Sequence, residues 1–158
     1  MKKIDSLNQV AKFHETFHHP ILETPQIPDK KRSDLRVSLI AEELQELEQA
    51  IKENDLVEVA DALCDIQYVL SGAVLEFGLG NKFVELFNEV QRSNMSKACV
   101  SEEEAALTVS HYKKTKDVDA YYRKEGEKFL VFRKSDNKTL KSINYSPADL
   151  KHILASKD

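Results

Sequence analysis

Basic residues are missing from the most apolar part of this chain. Between Asp55 and Gly78 there is no Lys or Arg, although Glu58, Asp61 and Asp65 lie inside that stretch. Cysteine is scarce too, with only Cys64 and Cys99. Two cysteines without framework spacing are expected to be reduced thiols of a cytoplasmic protein, not a disulfide scaffold. No hydrophobic run approaches the length of a membrane span and no signal-peptide pattern opens the chain, so no membrane partner is expected. Positive charge is not in excess. A net charge of -4 argues against a general nucleic-acid surface. Internal repeats and low-complexity segments are absent. What is plentiful is charge of both signs, 32% of the 158 residues, beside a hydrophobic fraction of 41%. That balance suits amphipathic helices around one core, and a single domain over 1–158 is expected.

The chain is organised around DLRVSLIAEELQELEQAIKENDLVEVADALCDIQYVLSGAVLEFG, from Asp34 to Gly78. It reads as two helices folded back through Asn54-Asp55. At helical pitch, Glu58, Asp61, Asp65 and Tyr68 form one stripe on the second helix. The first helix offers Glu42, Glu43 and Glu46 against only Arg36 and Lys52. Its apolar stripe is Ile40, Leu44, Leu47 and Ile51, and Glu43 borders that stripe. Carboxylates facing each other across a mostly apolar pair repel and cost desolvation energy. Protonation, basic partners from elsewhere, or divalent cations would offset that cost. Mg²⁺ and Mn²⁺ take oxygen ligands, and i,i+3 carboxylates on facing helices supply them. A solvated acidic face explains the first helix well and the second poorly.

Around this pair the chain reads in order. Residues 5–17 form a helix with Leu7, Val10, Phe13 and Phe17 at helical spacing, capped by Asp5 or Ser6. Pro20, Pro25 and Pro28 hold an extended loop. The next helix starts near Ser33 or Asp34. Asp55-x-x-Glu58 resembles a capping box, and Gly78 is a C-terminal cap. A fourth helix is expected over 81–96, with Phe83, Leu86, Phe87 and Val90 on one face. Ser101-x-x-Glu104 opens a fifth, to about Tyr112. AYYRKEGEKFLVFR signals a hairpin around Glu125-Gly126, Asp136-Asn137 marks a turn, and Pro147 is placed to open a short last helix. The expected fold class is all-α: an antiparallel helical bundle, with a core over 4–98 and a helix, small β-hairpin and tail over 99–150. His14 and His18 are spaced i,i+4 but lack the Cys or carboxylate partners of a zinc site. Phe13, His14 and Phe17 read as core and as a wall for a base. The basic stretch Arg123–Lys141 with Phe129 and Phe132 reads as amphipathic strands, not an RNA-binding hairpin.

Glu43-x-x-Glu46 followed by Glu58-x-x-Asp61 resembles the ExxE…ExxD signature of the all-α nucleoside triphosphate pyrophosphohydrolases. The doubled Glu42-Glu43, the block Val59–Val69, Gly72, Arg92-Ser93-Asn94-Met95-Ser96-Lys97 and the tail Lys141–Leu150 resemble the MazG-like branch. The likeness covers about 4–98 and 138–150. Ser142 and Ala148 stand where that branch commonly has Gly and Pro, and 99–137 looks like an insertion.

The resemblance implies a Mg²⁺-dependent enzyme, with Mn²⁺ as a substitute, converting a nucleoside triphosphate and water to a monophosphate and pyrophosphate. By the same resemblance Glu43, Glu46, Glu58 and Asp61 bind metal. Glu42 and Asp65 join as further ligands or as the base that orients water, and Glu43 or Glu46 takes the proton. Asn94 and Lys97 contact phosphates, Lys141 and Tyr145 close over the substrate, and Tyr68 supports a ligand or stacks on the base. A homodimer or dimer of dimers is implied. Two other readings are a phosphoribosyl-ATP pyrophosphohydrolase of histidine synthesis and a non-catalytic helical interaction module.

Overall fold

The computed structural model describes residues 4–156, which form six α-helices and one two-stranded antiparallel sheet. The chain is therefore mainly helical with a small hairpin, as its periodicity implies. It divides into two compact units, Met1–Phe83 and Val84–Asp158. No single helix among the described residues is long and apolar enough to cross a membrane.

The first unit holds α1 (Ser6–Phe17), α2 (Lys30–Glu53) and α3 (Leu56–Glu76). Helix α2 begins earlier than Ser33 or Asp34. Asp29 follows Pro28 and accepts the Arg32 N–H at 3.0 Å, so Lys30 opens the helix. The basic Lys30-Lys31-Arg32 run looks like loop in the sequence but is the first turn. At the other end Asn54 takes a left-handed φ of 55°, and Asp55 at once caps α3, accepting from Val57 and Glu58 N–H. One left-handed residue followed directly by a cap reverses the chain. Helices α2 and α3 therefore run antiparallel, with Arg32 against Glu76 and Arg36 against Gly72.

Helix α3 ends as its glycine predicts. Gly78 has φ 67°, its N–H reaches the Leu75 carbonyl, and the Leu79 N–H reaches Val74. A Cβ at position 78 would stand 2.0 Å from the Thr24 carbonyl oxygen. The close approach arises because the proline loop is tied to this helix end by Leu22 N–H to Leu75 and Gln26 N–H to Phe77. The apolar stripe expected on α2 is only partly inward. Ile40 and Leu47 are half-buried, Leu44 and Ile51 are exposed, and the fully buried positions are Arg36 and Ala50. Apolar residues run around more of α2 than α1 and α3 cover, so Val37, Leu44 and Ile51 remain outside.

After a 3₁₀ turn at Gly80–Lys82, α4 (Phe83–Met95) starts two residues later than expected and opens the second unit from Val84. Leu86 is buried and Phe87 exposed. Helix α5 (Glu102–Lys116) runs one turn past Tyr112; Lys113, Lys114 and Lys116 suit its C-terminal end. Strands β1 (Ala120–Glu125) and β2 (Lys128–Arg133) pair with Glu125 opposite Lys128, and Gly126 takes φ 58° in the two-residue turn. Cys99, Ala105, Tyr112, Ala120, Val131 and Leu140 form a core between α5 and the hairpin. Helix α6 (Leu150–Ala155) is capped by Asp149 and does not begin at Pro147. Residues 146–149 are held along α4 instead. Arg92 donates to the Ser146 and Pro147 carbonyls, and the Asp149 N–H donates to Glu89.

Candidate active site

The antiparallel register that sets Arg36 against Gly72 also brings Asp65 to Glu43. Glu43 is half-buried on α2, and its Oε2 is buried without a hydrogen-bond partner. Burial, then the charges of Asp65, Glu46, Glu42 and Asp61, push its carboxyl above the usual range. No base is among the charges that act on it. Asp65 is half-buried, while Glu42, Glu46, Glu58 and Asp61 are exposed. This corrects the picture of an acidic stripe sunk in apolar surroundings on α3. Glu58 and Asp61 face outward, and so do the apolar Leu56, Val57 and Leu63 near them. Among the described residues no three His, Cys, Asp or Glu side chains already stand as a metal cage. The donor set still fits a hard divalent cation. It is all oxygen, comes from two helices, and includes a buried oxygen without a donor.

One and two turns along the same helices lies a cavity of about 230 Å³, lined by residues of α1, α2 and α3 and by His19. Leu39 and Tyr68 line it, one turn from Glu43 and Asp65 respectively. Tyr68, 39% exposed, meets Phe13 edge-on at 5.6 Å. Beyond them is a group that pattern reading missed. Glu76 is 1% exposed, and its carboxylate accepts from Arg32 Nε at 3.0 Å, from Arg32 Nη2, and from Arg36 Nη2. Burial pushes Glu76 up, but the bonds and charges of Arg32 and Arg36 outweigh it and hold the carboxyl below its usual range. His14, 2% exposed, has Nδ1 2.9 Å from the Pro20 carbonyl and Nε2 3.2 Å from Arg36 Nη2. A carbonyl only accepts, so Nδ1 carries the proton and Nε2 accepts from Arg36. Burial keeps this imidazole below its usual pKa. The signal was present in the sequence. A lone Glu at the apolar end of α3 needs a partner, and Arg32 and Arg36 are spaced i,i+4 at the facing end of α2.

In the second unit, Asn94, Lys97, Lys141 and Tyr145 come together. Lys97 Nζ donates to Asn94 Oδ1 at 2.8 Å, and Lys141 Nζ lies 4.1 Å from the centre of the Tyr145 ring. Tyr145 shares a hydrogen bond of 2.9 Å with Ser93. That bond, then the nearby Lys141 and Lys97, outweigh partial burial and lower the phenol's pKa. The insertion at 99–137 explains how the tail is held. Glu104 on α5 accepts from Ser142 Oγ and from the Val100 N–H, and Thr108 Oγ1 accepts the Ile143 N–H. Ser142, unusual for the tail pattern, is therefore a partner for a buried carboxylate.

A mainly helical chain whose α2 and α3 bring Glu42, Glu43, Glu46, Asp61 and Asp65 together has the donor set of a cation-dependent site. Residues 10–94, more than half of the chain, match the family described as phosphoribosyl-ATP pyrophosphohydrolase. The chain belongs to that family, within the all-α NTP pyrophosphohydrolase superfamily that also holds MazG-like proteins, and is a pyrophosphohydrolase. It is also similar to the uncharacterized protein L479 of Acanthamoeba polyphaga mimivirus, 25% identical over 97% of each chain.

Proposed function

We propose that this protein is a Mg²⁺-dependent nucleoside triphosphate pyrophosphohydrolase, releasing a nucleoside monophosphate and pyrophosphate. The observation that carries the reading is the acidic layer, where four carboxylates from two helices act on Glu43 and Glu43 keeps a buried oxygen without a donor. A triphosphate is strongly anionic, and such a layer binds it only through cations. When bound, Mg²⁺ or Mn²⁺ would neutralise phosphate charge, polarise the α-phosphate and lower the pKa of the attacking water. Glu43, Glu46, Glu58 and Asp61, with Glu42, are the residues that would hold it. One of Glu43 and Glu46 takes the proton of the water, and Asp65 joins as a further ligand or orients that water. Lys97 offsets charge on the leaving pyrophosphate, Asn94, Lys141 and Tyr145 bind phosphate oxygens, and Tyr68 stacks on the base.

The working form is a homodimer or dimer of dimers. Supporting it, Val37, Leu44 and Ile51 on α2 and Leu56, Leu63 and Leu70 on α3 are exposed at seven-residue spacing. Two free cysteines, Cys64 exposed and Cys99 buried, suit a cytoplasmic setting.

A second reading is favoured by the matched family's own description: the substrate is phosphoribosyl-ATP. The chemistry is the same cleavage between α- and β-phosphates. A screen of nucleoside triphosphates beside phosphoribosyl-ATP, with product analysis, separates the two. Orthophosphate and a diphosphate as products would eliminate both. A helical interaction module would show no defined Mg²⁺ sites by calorimetry.

A further inference from the structure

The cavity between α1, α2 and α3 carries an inference about the base, and it rests on the nucleotide-hydrolysing reading above. Its walls are apolar and aromatic: Val10, Phe13, Leu35, Leu39, Tyr68 and Val69. The polar groups that reach it are mostly spent on one another. His14 donates to Pro20 and accepts from Arg36, and the Glu76 carboxylate, which anchors both arginines, accepts from Arg32 and Arg36. His19 is stacked on Phe13 at 5.8 Å. One group is left over. Arg36 is 7% exposed, lines the cavity, and has a buried Nε–H with no partner. Two guanidiniums meet one buried carboxylate here beside His14, whose pKa burial lowers, and Asp29 acts on Arg32 from the start of α2. No Asp or Glu lines the cavity.

We propose that this cavity holds the substrate's base and that Arg36 reads a ring carbonyl oxygen, so that keto-bearing bases are preferred to their amino counterparts. A carbonyl satisfies the unpaired Nε–H. An exocyclic amino group in the same place sets donor against donor and leaves the Arg36 Nε–H unpaired. The spacing suits a nucleotide. Seven residues of α2 separate Arg36 from Glu43, about 10 Å along the helix, comparable to the reach of a nucleoside from its 5′-phosphate to the far edge of its base. Arg36 acts here as a specificity-determining residue, held in place by Glu76 and His14.

The test compares isosteric pairs on the wild-type protein with Mg²⁺: UTP against CTP and ITP against ATP, in ribo and deoxyribo series. kcat/KM is measured on the triphosphates, and affinity on their α,β-imido analogues. The keto member of each pair should win by about tenfold or more in both readouts. Turnover with a flat or reversed base preference overturns the cavity assignment and leaves the hydrolytic reading standing. Analogue binding with the keto preference but no turnover of any triphosphate does the opposite. Failure of every analogue to bind removes both. Gly72→Ala supplies a second arm. Its Cβ would stand 2.6 Å from Arg36 Nη1 and 3.1 Å from His14 Nε2, so the guanidinium must move. The UTP-to-CTP ratio should fall toward one, mainly by loss of UTP turnover. An unchanged ratio in a folded variant overturns the role of Arg36. If that variant does not fold, the wild-type ratios decide.

Discussion

Glu43 concentrates the conflict between stability and chemistry in a single side chain. Its buried Oε2 has no donor, and four neighbouring carboxylates oppose its charge. A carboxyl raised above its ordinary 4.5 contributes full stability below that value and loses it as pH rises through the folded pKa. In EDTA, Glu43→Gln should therefore melt above wild type by roughly 2–4 °C near neutral pH, the shift that about 1 kcal/mol gives a chain of this size, and by less in acid. Mg²⁺ should reverse the order, because ligation stabilises wild type by mass action and an amide is a poorer ligand. Differential scanning fluorimetry decides, and a variant melting below wild type in EDTA would show that Glu43 holds the fold. Lys97 offers the opposite case. It supplies charge and no metal ligand, so Lys97→Ala should weaken nucleotide binding about tenfold or more with Mg²⁺ affinity kept. Calorimetry showing Mg²⁺ affinity collapse while nucleotide affinity held would remove it from the phosphate role.

At the scale of elements, α2 and α3 place an acidic layer and an Arg–Glu–His layer on the same register, and α1 closes the second. His14 makes the second layer sensitive to acid. Burial, with the charges of Arg36 and His19, lowers its pKa against the opposing pull of Pro20 and Glu76. The unfolded chain takes up a proton near 6.5 and the folded chain only below that, so stability is held above 6.5 and lost as pH falls beneath it. Glu76, held low by its arginines, adds a loss below 4.5. Urea midpoints in EDTA at about pH 7.5 and about pH 5.5 should fall for wild type relative to His14→Gln; parallel midpoints would refute the account. The α2–α3 reversal was legible because a left-handed Asn and a capping Asp act locally. Asp29 and Asp149 were missed as caps because Ser33 and Pro147 present equally good local chemistry a few residues away. Glu76 was missed because one acid makes no pattern, and its reason lies 40 and 44 residues earlier in Arg36 and Arg32.

For the whole molecule, helical class and hairpin followed from periodicity and turn residues, and the acidic helices from their spacing. What periodicity could not show was which apolar faces remain uncovered. Exposed stripes on α2 and α3 are the proposed contact between copies, so Ile51→Lys combined with Leu63→Lys should shift the protein to monomer in light scattering. A native oligomer unchanged by both would exclude that face. Nor did the sequence indicate that residues 99–137 hold the tail through Glu104 and Thr108, since hydrogen bonds between segments some 35 residues apart leave no local trace.

That stitching has a consequence for how the protein is made. The α2–α3 pair closes through a single turn, so contacts near in sequence can assemble it quickly and while synthesis continues. The group proposed to bind phosphate has no such shortcut. Tyr145 reaches Ser93 only after the 52-residue separation between them has been spanned, and Ser142 reaches Glu104 across 38. Those loops are entropically costly to close, and they cannot begin until the tail has left the ribosome. A nascent chain halted after the hairpin would carry its acidic helices already formed and no Lys141 or Tyr145. Cation affinity should thus mature before nucleotide affinity during translation.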